Sequence, residues 1–196
     1  EQAGVSLDRL GGAAWQSRKA KLKERIRDMA DQLIRVAAER QLKDAAVIAP
    51  PEGVFDEFCA RFPYAETDDQ LKAISDALND LSQGRPMDRL ICGDVGFGKT
   101  EVALRAMFAA AMSGMQVAVV VPTTLLARQH HKTFNERLAG FPIRVGHLSR
   151  LVPAADAAKV KSGIADGTID VVVGTHALLS KDIAFQNLGL LIIDEE

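Results

Sequence analysis

Eight consecutive residues, Gly93 to Thr100, have the types and spacing that bind the phosphates of a nucleoside triphosphate. They read Gly-Asp-Val-Gly-Phe-Gly-Lys-Thr and fit the pattern G-x-x-x-x-G-K-[ST]. In this pattern the backbone N–H groups surround the phosphates, the Lys99 ammonium reaches the β- and γ-phosphates, and the Thr100 hydroxyl binds Mg²⁺. The sequence therefore predicts phosphate contacts from Gly93, Asp94, Val95, Gly96, Phe97, Gly98, Lys99 and Thr100.

The segments on either side of this phosphate loop argue against a chance match in a glycine-rich turn. Residues 89–92 predict a short buried strand, with Cys92 as a small core residue, and residues 101–113 predict a helix. A strand that enters a glycine-rich loop and continues into a helix directs several N–H groups and the positive helix end at one point.

Two carboxylates, Asp194 and Glu195, directly follow the apolar run 190–193. An Asp in this position holds Mg²⁺, usually through water, and the neighbouring Glu can deprotonate the attacking water. We therefore predict Thr100 and Asp194 as metal ligands, and Glu195 with Lys99 as catalytic residues for hydrolysis rather than for transfer to a metabolite. The alternative is a solvated acidic turn after a strand.

After the phosphate loop, apolar runs that predict strands alternate with patterns that predict helices. The strands are expected at 117–121, 143–148, 169–173 and 190–193, and the helices between them at 123–138 and 153–165. Such alternation with short connections indicates an α/β fold with a parallel sheet and right-handed crossovers.

Before the phosphate loop, the sequence predicts a long helix at residues 15–43, which contain no Gly or Pro and carry nine basic and four acidic residues. Its apolar side chains form one stripe: Leu22, Ile26, Met29, Leu33 and Val36. A lever between domains, a basic surface facing DNA and a solvated helix packed on its neighbours are all consistent with this pattern.

Two shorter helices follow a break at 44–53, which contains two prolines and Gly53. The first is expected at 54–61. The second begins at Thr67, because Thr67 and Gln70 have the spacing of a capping box, and it ends at Gly84.

The composition, 47% hydrophobic and 26% charged, is typical of a soluble globular protein without a membrane span. Cys59 and Cys92 form neither a metal-binding spacing nor a disulfide framework, which fits a reducing cytoplasm. His130 and His131 also lack metal-ligand partners and are interpreted as ordinary helix positions.

The missing initial Met and the end directly after a predicted strand lead us to expect a fragment of a longer protein.

Several segments resemble the ordered motifs of superfamily 2 helicases. They are the phosphate loop, residues 122–134, 148–150 and 174–179, and the terminal Asp-Glu-Glu. Two families share this variant, the branched-DNA helicases that rescue stalled forks and the bacterial transcription-repair coupling factors. The upstream segments 10–15, 27–30 and 58–67 look like the coupling factors.

The resemblance implies a RecA-like lobe that binds ATP and Mg²⁺ and acts in an ATP-driven double-stranded DNA translocase. By resemblance, Gln70 reads the adenine edge and Phe62 lies against the base, although the capping box is a competing role for Gln70. Other positions are implied to face the DNA backbone without reading bases: Thr123, Thr124, Gln129, Ser149, Arg150, Thr175 and His176.

The resemblance also implies an organisation and partners. Residues 1–14 would be a loop or the last part of a preceding polymerase-binding module. Residues 15–53 would form a long helical linker, and residues 54–196 would form the first motor lobe. The full cytoplasmic protein would displace stalled RNA polymerase and recruit the damage-recognition protein of nucleotide excision repair. Two alternatives stay open: a fork helicase, and a nucleotide-binding fragment with weak or no turnover because the arginine fingers of a second lobe lie outside it.

Overall fold

The computed structural model describes residues 12–94 and 96–194, and the chain divides into two compact units, 1–43 and 44–196. The first unit contains α1 (Ala13–Gln41), which confirms the predicted long helix. No residue of α1 is buried, and the apolar stripe predicted along it is exposed. The predicted tail at 1–14 lies almost entirely outside the described residues.

The second unit alternates helices and strands as the sequence predicts. Its elements are α2 (Val54–Ala60), α3 (Asp68–Ser82), α4 (Lys99–Met112), β1 (Gln116–Val120), α5 (Thr124–Arg137), β2 (Val145–Leu148), α6 (Ala154–Ala165), β3 (Val171–Gly174), a short 3-10 helix (His176–Leu179) and β4 (Leu188–Ile193). The strands are parallel and lie in the order β2-β3-β1-β4. This arrangement confirms the predicted α/β fold with a parallel sheet.

Strand β1 is buried along its whole length because apolar clusters cover both faces of the sheet. Val117 and Val119 pack in one cluster with Phe108 of α4, whereas Val120 packs on the opposite face with Ile164 of α6. Successive side chains of a strand point to opposite faces, so a strand covered on both sides needs a continuous apolar run. The central position of β1 brings its carboxyl end to the middle of one sheet edge.

The predicted strand at residues 89–92 is wrong. These residues form no strand, Leu90 is 85% exposed, and Cys92 is exposed instead of lying in the core. Arg89 binds α3 instead, since its Nε lies 2.7 Å from Oδ2 of Asp80 and its Nη1 lies 3.5 Å from Oδ2 of Asp76. These ion pairs attach the start of the segment to α3.

Residues 44–53 also lie with the second unit. The Ala45 N–H donates to the Gly84 carbonyl at 2.9 Å, the Ile48 N–H donates to the Leu81 carbonyl at 3.0 Å, and Ile48 is buried. The functional boundary proposed at residue 54 stays a prediction.

Candidate active site

The carboxyl ends of the four parallel strands meet at one edge of the sheet, and most predicted site residues follow these ends. In open α/β sheets, ligands bind outside this edge. Asp194 follows β4 at one end of the row, while the predicted DNA contacts follow β1, β2 and β3: Thr123, Thr124, Ser149, Arg150, Thr175 and His176. The sheet order therefore separates the predicted metal ligand from most of the predicted DNA face.

The phosphate loop leads into α4, whose first residue is Lys99. Gly96 and Gly98 have φ angles of 83° and 73°, in the left-handed region that glycine adopts without a steric penalty. The Lys99 ammonium donates to the carbonyl oxygens of Gly93 at 2.5 Å and Asp94 at 3.0 Å. Lys99 thus forms hydrogen bonds within its own loop. Phosphate oxygens could replace these carbonyl oxygens as the acceptors of its ammonium group. Val95 lies outside the described residues.

Gln70 joins α3 to the phosphate loop. Its Oε1 accepts from the Thr67 N–H at 2.9 Å and its own N–H donates to the Thr67 hydroxyl at 3.2 Å, which confirms the predicted capping box. Its Nε2 donates to the Phe97 carbonyl at 2.7 Å. A side chain at Gly98 would displace this amide from the Phe97 carbonyl, and the φ angle of 73° independently favours glycine there. The adenine contact of Gln70 stays a prediction.

The variant Gln70→Glu separates the capping role of this residue from its predicted role in nucleotide selection. A glutamate still accepts from the Thr67 N–H, so the free energy of unfolding should change by less than about 1 kcal/mol. It cannot donate to the Phe97 carbonyl or to adenine. We expect the preference for ATP over GTP to fall about 10-fold, the worth of one hydrogen bond.

Competition against a fluorescent nucleotide measures this preference. Gln70→Ala is the matched control, because it should lose the side-chain half of the capping box as well and unfold about 1 kcal/mol more easily. An unchanged preference in Gln70→Glu would remove the adenine role.

A buried ion cluster lies on α4 behind the phosphate loop. Glu101 and Arg105 are each 4% exposed, and the Arg105 Nε lies 3.0 Å from Oε1 of Glu101. Nη2 of Arg137, from α5, donates to both carboxylate oxygens of Glu101 at 2.9 and 3.1 Å. Arg105 also donates to Glu66 and thereby lowers the pKa of that carboxyl. The cluster ties α4 to α5 and to the segment that precedes α3.

Phe62, the predicted neighbour of the base, lies on this cluster. Its ring centroid is 5.9 Å from the guanidinium carbon of Arg105 and 5.6 Å from that of Arg137. Such distances allow cation–π attraction. Phe62 therefore lies within cation–π range of the ion cluster, and its contact with the base stays a prediction.

Asp194 is held by two neighbouring elements. Its N–H donates to the Val120 carbonyl at 2.9 Å, and its Oδ2 lies 3.0 Å from Nε2 of His130. His130 lies on α5, as predicted, and it is buried, which the sequence analysis did not predict. The sequence carries a signal for this, because Ala127, His130 and Phe134 form the buried face of α5 at spacings of three and four.

The oxygen donors of Thr100 and Asp194 fit Mg²⁺, which prefers hard oxygen ligands. In residues 12–94 and 96–194 no three His, Cys, Asp or Glu side chains gather into a metal-binding group. A Mg²⁺ ion that keeps several waters and binds substrate phosphates needs only one or two protein ligands. Glu195, the predicted base, lies outside the described residues.

Two of the predicted DNA contacts have local hydrogen bonds. The Thr123 hydroxyl accepts from the Leu126 N–H at 3.2 Å and caps α5, and the buried Ser149 accepts from the Leu151 N–H at 3.4 Å. The side chains of Gln129, Arg150 and His176 are exposed. The DNA roles of all seven residues stay predictions.

None of the helices in the described part of the chain combines the length and the apolar character that crossing a membrane requires.

Comparison with known proteins places this geometry in a family. The transcription-repair-coupling factor of Bacillus subtilis is 49% identical over 97% of this chain and 16% of its own length, and that of Rickettsia conorii is 52% identical over 98% of this chain and 18% of its own. The predicted similarity to coupling factors is thus confirmed. The chain spans less than a fifth of the length of these curated relatives.

A solved structure of RecG bound to a three-way DNA junction is similar over 83% of this chain and 22% of that chain, with a TM-score of 0.77 and 39% identity. This similarity confirms the predicted RecA-like lobe. Residues 67–196, about two thirds of the chain, match the DEAD/DEAH box helicases. The chain therefore belongs to the DEAD/DEAH box helicase family.

Proposed function

We propose that residues 54–196 are the ATP-binding lobe of an ATP-driven double-stranded DNA translocase that displaces stalled RNA polymerase. The full protein would thereby couple transcription to nucleotide excision repair. The observation that carries this proposal is the 49–52% identity to coupling factors across 97–98% of the chain, which includes α1 as well as the site. The similarity to RecG bound to a DNA junction supports DNA as the polymer along which the protein moves.

Nucleotide binding would begin with an exchange of partners at Lys99. Its ammonium leaves the carbonyls of Gly93 and Asp94 and binds the β- and γ-phosphates, while the N–H groups at the start of α4 face the same phosphates. Thr100 and Asp194 would hold Mg²⁺, which when bound neutralises charge on the phosphates. Glu195 would accept a proton from the attacking water.

DNA movement would follow from closure of a second lobe onto the bound nucleotide. The predicted contacts at the ends of β1, β2 and β3 lie on the same sheet edge as Asp194, so closure over ATP would change the grip on the DNA backbone. Phosphate contacts carry no sequence information, which suits a motor that moves along any DNA.

Replacing Glu195 with glutamine tests its role as the base. Glu195→Gln keeps the size of the side chain but cannot accept the proton, so the full-length protein should hydrolyse ATP about 10²-fold more slowly. Nucleotide affinity should be retained, as measured with a fluorescent ATP analogue. Unchanged turnover would remove Glu195 as the base.

The assay that tests the whole proposal uses the full-length protein and an RNA polymerase stalled on DNA. We expect ATP-dependent release of the polymerase, which gel shift detects as free DNA. The similarity to RecG favours a second candidate, a helicase that unwinds forked DNA. Strong fork unwinding without polymerase release would support that candidate and contradict ours.

For the isolated 196-residue chain we expect ATP binding with weak or no turnover. Hydrolysis of ATP by the isolated chain at the rate of the full-length protein would contradict the need for a second lobe.

A further inference from the structure

A buried histidine of α5 contacts the carboxylate that we propose as a metal ligand. Nε2 of His130 lies 3.0 Å from Oδ2 of Asp194, and His130 is 8% exposed. A carboxylate only accepts hydrogen bonds, so this proximity favours the form of the imidazole that carries hydrogen on Nε2, and the two groups attract each other. The contact therefore orients the Asp194 carboxylate.

Both partners of this contact are anchored. The His130 ring lies 5.3 Å, centroid to centroid, from the ring of Phe134 one turn further along α5, and Phe134 is buried. The Asp194 backbone is tied to β1 through the Val120 carbonyl. Because the imidazole is packed and the strand end is paired, this polar contact joins two groups that have little freedom to turn away.

We propose that His130 is a positioning residue, which holds Asp194 in the orientation that binds the Mg²⁺ of the ATP complex. This proposal rests on the proposed function, because it takes Asp194 to act on that metal. His130 acts through Asp194 rather than on the nucleotide. Loss of the hydrogen-bond partner of a metal ligand typically costs 10–100-fold in metal affinity or activity.

A plain core histidine is the competing explanation. A buried imidazole needs a hydrogen-bond partner, and any backbone carbonyl would satisfy it. Here the partner is the carboxylate at the end of β4, where the strand reaches the proposed active site. The two explanations differ in outcome, because a packing role affects folding alone and a positioning role affects the response to Mg²⁺.

The first test measures binding of a fluorescent, non-hydrolysable ATP analogue to the 196-residue chain with increasing Mg²⁺. The wild-type chain should bind the analogue more tightly as Mg²⁺ is added. The variant His130→Leu keeps the apolar volume and loses the donor. It should retain the affinity measured without metal, while the Mg²⁺ concentration that gives half of the gain rises about 10-fold or more.

Two further variants give the rescue and the control. His130→Gln can place an amide donor near the position of Nε2 and should restore much of the Mg²⁺ response. His131→Leu makes the same substitution at the next position of α5, where the imidazole faces the Val145 carbonyl and the His147 ring instead. It should respond to Mg²⁺ like the wild type.

A double-mutant cycle with Asp194→Asn decides whether His130 acts through Asp194. If it does, adding His130→Leu to Asp194→Asn should shift the Mg²⁺ response no further. Thermal unfolding checks that each variant is folded. If His130→Leu does not fold, the shorter amide of His130→Asn replaces it as the variant that cannot reach Asp194, with His130→Gln again as the rescue.

The possible failures can be told apart. A wild-type chain whose affinity does not change with Mg²⁺ would overturn the proposed metal site and this inference with it. A wild-type gain that His130→Leu leaves unchanged, or fully additive effects in the cycle, would overturn the positioning role alone.

Discussion

Lys99→Ala should lower kcat/KM for ATP hydrolysis by the full-length protein about 10³-fold or more, the largest effect that we predict. A hydrogen bond to a charged group is worth about 1.5–3 kcal/mol, which corresponds to roughly 10–100-fold in nucleotide affinity. Removing one fixed donor that faces charge developing in the transition state costs about 10²–10³-fold in rate. The ammonium of Lys99 serves both purposes, so the two losses multiply.

The hydrogen bonds of Lys99 show what the substitution by alanine removes. Its ammonium bonds to the Gly93 and Asp94 carbonyls inside the loop, so truncation leaves these two acceptors without this donor and removes a positive charge from the predicted phosphate site. Steady-state hydrolysis and binding of a fluorescent ATP analogue measure the two losses separately. Lys159→Ala is the control, because Lys159 is exposed on α6 and pairs with Asp156. Wild-type affinity in Lys99→Ala would contradict the predicted role of this lysine.

Glu101→Ala should have the largest effect on stability and lower the free energy of unfolding by about 3–5 kcal/mol. Glu101 binds Arg105 at 3.0 Å and Arg137 at 2.9 Å, and its side chain is 5% exposed. Removing the carboxylate leaves two guanidinium groups with little access to water and without the anion between them. Breaking a buried ion pair by removing one partner costs more than the pair itself contributes.

Urea unfolding of the 196-residue chain, followed by circular dichroism, measures this loss. Glu136→Ala is the matched control, because Glu136 forms an exposed pair with Lys132 at 3.8 Å and should contribute less than about 1 kcal/mol. Equal losses in the two variants would show that the cluster on α4 is no more stabilising than a surface pair. A larger loss in Glu101→Ala should be accompanied by weaker nucleotide binding, because the cluster lies directly behind the phosphate loop.

Local patterns predicted most helices and strands of the second unit. The Val-rich run of β1 and the capping box of Thr67 and Gln70 depend on neighbours within a few residues, and the structure confirms both. The strand predicted at 89–92 is absent, and Arg89 pairs instead with Asp76 and Asp80 of α3, contacts that a short apolar run does not reveal. Strand order was beyond prediction for the same reason, since it depends on which distant strands pair.

The part of the candidate site that lies within one continuous motif could be located from the sequence. The phosphate loop lies within eight residues; Gly96 and Gly98 have left-handed φ angles there, Lys99 bonds to its own loop, and the phosphate contacts stay predictions. The contact between His130 and Asp194 joins residues more than sixty positions apart and was missed. Reading His130 with Ala127 and Phe134 would have placed it on the buried face of α5, but its partner emerges only from the pairing of β1 with β4.

Helix α5 begins beside Thr123, a predicted DNA contact, and carries His130 against Asp194 two turns later. At 1.5 Å per residue, the six residues from Thr124 to His130 span about 9 Å of a single rod. If Thr123 contacts DNA and Asp194 binds Mg²⁺, as proposed, α5 would connect the two sites through one continuous helix. A displacement of α5 as a rigid body would then move the His130 imidazole against Asp194 without any change in the pairing of the strands.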